Sequence, residues 1–400
     1  MSRAAAAAGI RRPGLMLDPV LLVILLSILL LGLVMVTSAS ISIAAQHGDP
    51  FSYVKSQLLL AAGGMALALL LAAVPTELYE KHANLLLIAA ALLLIAVLVP
   101  GVGHVVKGSR RWLRLGVFNL QASEVARVLV LCWVAAYSVR RGEALRTTFG
   151  GLARPLLVVG ACCVLLHFEP DFGAESVLFA TAFGVLFLAG ARLRWVLLCV
   201  LGAACIFGLL MIAAPYRLRR ITSFLDPWGH AYDSGFQLTQ SLIAIGRGQW
   251  FGVGLGESVQ KLFYLPEAHT DFLFAVLAEE LGLVGVIATL TLFLLLVWRV
   301  LHIARLAANA GLAFQAALAA SFGLWVGIQA LINIGVNMGV LPTKGLTLPL
   351  MSYGRSSLLV TLAWLGLVLR VYHEAMTRTR GAASAGSRRA SSAPVAEAVA

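Results

Sequence analysis

The stretch YLPEAHTDFLFAVLAEELG, Tyr264 to Gly282, places His269 and Asp271 just before an apolar run that Glu279 and Glu280 interrupt. A carboxylate held at a helix start can take the proton of an attacking hydroxyl if it reaches hydrogen-bond distance. The same position suits a cap: Thr270 or Asp271 can meet the free N–H groups of the first turn, where the dipole also favours negative charge. The two roles are compatible, and His269 is either a partner of the acid or a loop residue. Glu279 stands eight residues on, ~12 Å deeper and about 80° around the helix, with Glu280 on the far side. A lipid-facing charge at that depth costs several kcal/mol, so both are expected to pair between helices or to line a wet cavity.

Cations gather in two other places: Lys107, Arg110, Arg111 and Arg114 in one segment, and Arg217, Arg219 and Arg220 in another. Headgroup anchoring accounts for such clusters. So does a site for an anion of pyrophosphate size, because the planar guanidinium fork binds phosphate in two places at once. Glu169 and Asp171, in HFEPDFG, either solvate a short turn or pair with these cations. The run NIGVNMGVLPTKGLTLPLMSYGRSS, Asn333 to Ser357, breaks a membrane-depth segment with Gly, Pro and polar residues, Ser352 among them. Irregular backbone at that depth is tolerated only inside protein or along a cavity, and Lys344 is the natural cation of such a cavity. The glycines of IGRGQWFGVGLGES do not form a nucleotide loop, since the G-K-[ST] ending and the strand–turn–helix frame are missing. The preceding GFQLTQSLIAIG reads as a short amphipathic helix on the membrane surface.

The elements that must carry these residues are set by composition. The chain has 400 residues, 60% hydrophobic and 12% charged, with mean hydropathy +0.92. Soluble domains are roughly 25% charged, so lipid solvates most of this chain. Its formal charge of +12 points to lipid headgroups and anionic lipid substrates rather than nucleic acid. Cys132, Cys162, Cys163, Cys199 and Cys205 all fall in apolar runs and read as packing residues. The run from Val20 to Val36 exceeds the roughly 7–15 residues of a signal h-region and reads as a retained membrane helix.

About 20 apolar residues cross the hydrocarbon core. Ten spans are expected near 19–44, 56–74, 83–100, 124–139, 156–168, 173–190, 195–214, 272–298, 315–336 and 356–372. The fold class is therefore an all-α integral membrane protein. Residues 1–18 form a cytoplasmic N-terminal segment, 19–374 the membrane domain, and 375–400 a disordered cytoplasmic tail. Long outer loops lie at about 101–123 and 215–271, the larger between helices seven and eight. The short outer loops carry only Lys55, Lys344 and Arg355, which places both termini inside.

Five stretches, KGSRRWLRLGVFNLQASE, EPDFG, FLDPWGHAYDSGFQLTQSLIAIGRGQWFGVGLG, YLPEAHTDFLFAVLAEELG and PTKGLTLPLMSYGRSS, together resemble the SEDS family of membrane peptidoglycan glycosyltransferases. Within the family, PTKGLTLP is similar to the cell-division branch, FtsW, rather than the elongation branch, RodA. Two departures stand out: Arg355 replaces the second glycine of SYGGSS, and Arg127 replaces a lysine. The resemblance implies a SEDS-type fold in the bacterial inner membrane, enriched at the division septum. It also implies an enzyme that polymerises lipid II into glycan strands and releases undecaprenyl pyrophosphate. It makes Asp271 the catalytic acid, read here as general base on the acceptor hydroxyl. Arg110, Arg111, Arg217, Arg220, Lys344 and His269 become candidates for binding substrate pyrophosphate, and Glu279, Glu169 and Ser352 for lining the cavity. A divalent cation, Mg²⁺ or Mn²⁺, would share the neutralisation of the leaving group, with no organic cofactor; its ligands stay unknown. The implied partners are the class B penicillin-binding protein FtsI, the FtsQ–FtsL–FtsB complex and FtsN. The rival readings are a lipid II flippase, a RodA-type elongation polymerase, and a non-catalytic division scaffold.

Overall fold

The computed structural model describes residues 15–46, 48–106, 109–116, 118–212 and 222–391. In chain order the helices are α1 (Pro19–Gln46), α2 (Ser52–Ala73), α3 (Thr76–Lys81), α4 (Ala83–Leu98), α5 (Ala122–Arg140), α6 (Gly142–Thr147), α7 (Phe149–Phe168), α8 (Phe172–Leu188), α9 (Leu193–Ile212), α10 (Phe236–Gly248), α11 (Leu273–Asn309), α12 (Ala313–Asn337) and α13 (Arg355–Ser391). Seven of them, α1, α2, α5, α7, α11, α12 and α13, are long and apolar enough to cross a membrane. Helices α4, α8 and α9 are shorter apolar helices. Each expected span falls on one of these ten. The fifth begins earlier than expected, at Phe149, because the Thr148 hydroxyl caps α7 by accepting from the Gly151 amide.

Two expectations are corrected. The chain is not all-α: the loop after α4 folds into an antiparallel sheet, β1 (Gly103–Val106), β2 (Ser109–Leu115) and β3 (Phe118–Gln121), in the order β1-β2-β3. The register pairs His104 with Trp112 and Trp112 with Gln121. Val105, Val106, Trp112 and Phe118 are strand formers, and self-pairing satisfies backbone that an irregular loop would leave to water. The expected disordered tail is also shortened, since α13 continues to Ser391. Residues 392–400 lie outside the described residues.

Helix α13 packs along α2, α12 and α1 pack along α11, and α4 packs along α5. The expected interfacial helix is α10, which lies against α11. At its lower end, α11 is locked to the chain start by Arg299, whose guanidinium is 2.8 Å from the fully buried Asp18 carboxylate.

Helix α11 is broken at Gly282 (φ 63°, ψ −161°). The carbonyls of Glu279 and Glu280 turn out to accept from the amides of Val253 and Gly254, at 2.9 and 3.1 Å. The amides of Leu283 and Val284 donate to the carbonyls of Gln249 and Trp250. The loop after α10 thus takes the bonds that the helix gives up, and only glycine adopts this conformation without strain. A Cβ at 282 would sit 2.3 Å from the Gly252 nitrogen.

Candidate active site

Asp271 is not the cap of α11. The N-cap residue is Phe272, with no side-chain cap bond, and the Ala275 amide is met instead by Asn337 Oδ1 at 3.2 Å. The backbone at 271 is clamped from α12: Asn333 Nδ2 and Asn337 Nδ2 both donate to the Asp271 carbonyl, at 2.8 and 3.1 Å. Asn333 Nδ2 also donates to the Leu346 carbonyl (2.6 Å), and Gln329 Nε2 to that of Thr347 (3.0 Å). One face of α12, Gln329–Asn333–Asn337 at steps of four, therefore fixes both the Asp271 segment and the loop that carries Lys344. That loop comes so close that a Cβ on Gly345 would lie 3.2 Å from Asp271 Oδ2.

Asp271 and Lys344 line one cavity of about 480 Å³, together with Arg111, Glu124, Arg127, Asp171, Glu267 and Arg355. Four of these charges are consumed in two pairs. Arg127, buried, lies 3.4 Å from Glu124, donates to Gln329 Oε1 at 2.7 Å and stacks 5.2 Å from the Trp325 ring. Arg111 lies 3.8 Å from Asp171, which also caps α8 by accepting from the Ala174 amide. Asp171 further accepts from Gln121 Nε2 and Ser123 Oγ, each at 3.0 Å. Lys344 and Arg355 have no carboxylate salt-bridge partner among the described residues. Lys344 Nζ sits 3.3 Å from Ser176 Oγ and 4.7 Å from the Phe172 ring centroid. Its partial burial holds the ammonium below its usual range, with Glu175 acting in the opposite direction.

The expected site residues separate under this geometry. Asp271, Lys344 and Arg111 meet in one cavity. His269 lines an adjoining hollow with Tyr53 and Tyr353. Arg110 turns away, donating to the Leu98 carbonyl at 3.2 Å. Arg217 and Arg220, like Lys107, lie outside the described residues.

Among the residues expected to line the cavity, Glu279, Glu169 and Ser352 do not. Glu279 is fully buried, ion-paired with Arg247 at 3.2 Å and accepting from the Val259 and Gln260 amides. Glu280 pairs with Lys261 at 2.8 Å and accepts from Ser38 Oγ at 2.6 Å. These two pin the loop after α10 to the break in α11. The Ser352 hydroxyl accepts from the Leu348 amide and closes its own turn. Glu169 is buried beside Asp171 and Arg111, and neither of its carboxyl oxygens has a hydrogen-bond partner among the described residues. Burial first, and the Asp171 charge second, push its pKa up to about 8.

Arg355, the departure from the glycine of the family motif, opens α13 and is not among the positive-φ residues, so an L side chain fits there unstrained. The residues missed from sequence are Glu124, Gln329, Asn333 and Asn337. The i, i+4 spacing of the last three on a membrane helix was the available signal.

Residues 19–377 match the FtsW/RodA/SpoVE family, described as cell cycle protein. A probable peptidoglycan glycosyltransferase FtsW of Thioalkalivibrio sulfidiphilus is 56% identical over 90% of each chain. The protein of the same name from Coxiella burnetii is 50% identical over 89% of this chain and 96% of its own. Among solved structures, one described as structural coordination of polymerization and crosslinking by a peptidoglycan synthase complex contains a chain 31% identical, with TM-score 0.74, covering 90% of this chain and 99% of that one. The rod shape determining protein RodA of Thermus thermophilus is 30% identical with TM-score 0.66, over 90% and 98%. With five motifs in order, an apolar helical bundle and a match over nearly its whole membrane region, this chain belongs to the FtsW/RodA/SpoVE (SEDS) family of cell cycle proteins.

Proposed function

We propose that the chain is a peptidoglycan glycosyltransferase that polymerises lipid II at the division septum. The observation that carries this reading is the meeting, in one cavity, of Asp271 with two cations, Lys344 and Arg355, that have no carboxylate salt-bridge partner among the described residues. The acceptor sugar hydroxyl attacks the anomeric carbon of the donor, and Asp271 takes its proton. The new C–O bond forms as the bond to pyrophosphate breaks, and the electron pair leaves on the pyrophosphate oxygen. Lys344 and Arg355 stabilise that developing charge. Arg217 and Arg220 remain candidates for the same anion.

A divalent cation is part of the proposal. Mg²⁺ is typically held by one or two carboxylates together with substrate phosphates. Among the described residues no cluster of three or more His, Cys, Asp or Glu is built to hold a metal alone. Glu124, whose buried Oε2 has no hydrogen-bond partner among those residues, and Asp271 are cavity residues that would hold such an ion. When bound, the ion would neutralise leaving-group charge.

The ten apolar helices cross the inner membrane, both termini are cytoplasmic, and the cavity opens to the outer side. The cross-linking partner is a class B penicillin-binding protein, FtsI, with FtsQ–FtsL–FtsB and FtsN in the same assembly. A multi-pass polymerase alongside a cross-linker agrees with the synthase complex described for the structural relative.

The test is polymerisation of labelled lipid II by purified protein with its class B partner and Mg²⁺ or Mn²⁺. Asp271→Asn is expected to lower the rate at least about 100-fold, within the range seen for a general base. Equal polymer from both proteins would remove Asp271 from the chemistry.

A further inference from the structure

Beside the Asp271 cavity lies a second hollow of about 530 Å³ whose wall is aromatic. Tyr53, at the start of α2, meets the His269 ring edge-on at 4.9 Å and the Tyr353 ring at 4.9 Å, with His269 and Tyr353 themselves 5.8 Å apart. The Tyr353 amide donates to the His269 carbonyl at 3.0 Å, so the cluster is stiff. Trp112, half-buried on β2, lines both hollows, as do Thr270 and Arg355. Ser52 and Asn119 add a hydroxyl and an amide, and among the described residues no carboxylate lines this space.

Aromatic walls with a few neutral hydrogen-bonding groups suit a ring that is apolar on its C–H face and polar at its edge, which describes a pyranose. An acyl chain would leave Ser52 and Asn119 without purpose, and among the described residues Arg355 is the one cation here, where a pyrophosphate would call for more. Thr270 adjoins Asp271 in sequence, so an occupant of this hollow is continuous with the reacting centre. We propose that the hollow of Tyr53, Trp112, His269 and Tyr353 is a saccharide subsite, holding an N-acetylated sugar ring next to the one that reacts. The proposal rests on the polymerase reading above and assigns His269 to sugar rather than to pyrophosphate.

Saturation-transfer NMR on the purified full chain, with soluble GlcNAc–MurNAc disaccharide and a longer uncross-linked glycan oligomer, reads binding without turnover. Transfer to the sugar C–H protons is expected for wild type and for Tyr53→Phe, which keeps the ring. A loss of at least about fivefold is expected for Tyr53→Leu and Trp112→Leu, as for the removal of one aromatic contact. Transfer to the disaccharide equal to that to the oligomer assigns the ring to a lipid-linked monomer. Transfer that grows with length assigns it to the growing strand. No transfer to wild type, or transfer unchanged in both Leu variants, overturns the subsite. Because lipid II polymerisation is assayed separately, its loss would sink the polymerase reading while leaving a positive binding result standing.

Discussion

At the scale of single residues, four of the cavity's charges are paired with one another. Arg127 and Arg111 are committed to Glu124 and Asp171, and truncating one partner of the buried Arg127–Glu124 pair strands the other at a cost of several kcal/mol. Glu169 is the exception, a buried carboxyl with no hydrogen-bond donor among the described residues, in the turn between α7 and α8. Its folded pKa, about 8 against an ordinary 4.5, means that the folded chain holds a proton which the unfolded chain has lost. Stability is then fully present below about 4.5 and declines as pH rises toward 8, by roughly 1.4 kcal/mol per unit at most. Thermal unfolding in detergent between these pH values should show this fall in wild type and a flatter profile in Glu169→Gln. Identical slopes would mean that the acid is ionised and solvated when folded. Asp271 shows the converse case: its role as a possible acid was legible from type and position, but the transfer of its capping duty to Asn337 was not.

At the scale of elements, α11 and α12 act as the frame. The break at Gly282 lets the loop after α10 dock on exposed carbonyls, and Glu279 and Glu280 tie that loop down. Gly282→Ala places a Cβ against the Gly252 backbone at a positive φ. A loss of about 2 kcal/mol or more is expected, read as a lowered Tm together with faster proteolysis of the 249–264 loop. An unchanged Tm would show that the break is not built on glycine. The Gln329–Asn333–Asn337 ladder on α12 belongs to the same frame, with one helix face holding both sides of the cavity. The strands of the outer loop were not read from sequence because their alternation is short and interrupted by arginines. Their pairing depends on the chain folding back on itself and on the Ser356 hydroxyl, which accepts from the Gln121 amide and donates to the Asn119 carbonyl.

For the whole molecule, ten apolar helices with a polar cavity at one end predict a polarised protein: termini and short basic loops inside, chemistry outside. A fluorescent protein fused to the C-terminus should fluoresce, as it does only in the cytoplasm. Glu257→Cys, on the exposed part of the loop after α10, should react with a membrane-impermeant maleimide from the periplasmic side above the background of the native cysteines. A dark fusion, or a residue 257 labelled only after lysis, would invert the orientation.

The sequence by itself determined the membrane solvent, the placing of the ten apolar helices and the family. These depend on local composition and on motifs contiguous in the chain. It also singled out Asp271, a carboxylate at a helix start within a family motif, and Lys344, beside a helix break at membrane depth costly enough to mark itself. Only the tertiary structure decided which charges share a cavity. Glu279 is a loop anchor, Arg110 a brace on the Leu98 carbonyl and His269 part of an aromatic wall, whereas Glu124, Arg127 and Gln329 line the site. Those outcomes depend on contacts between segments up to hundreds of residues apart, where partner and direction are set by packing and leave no local trace.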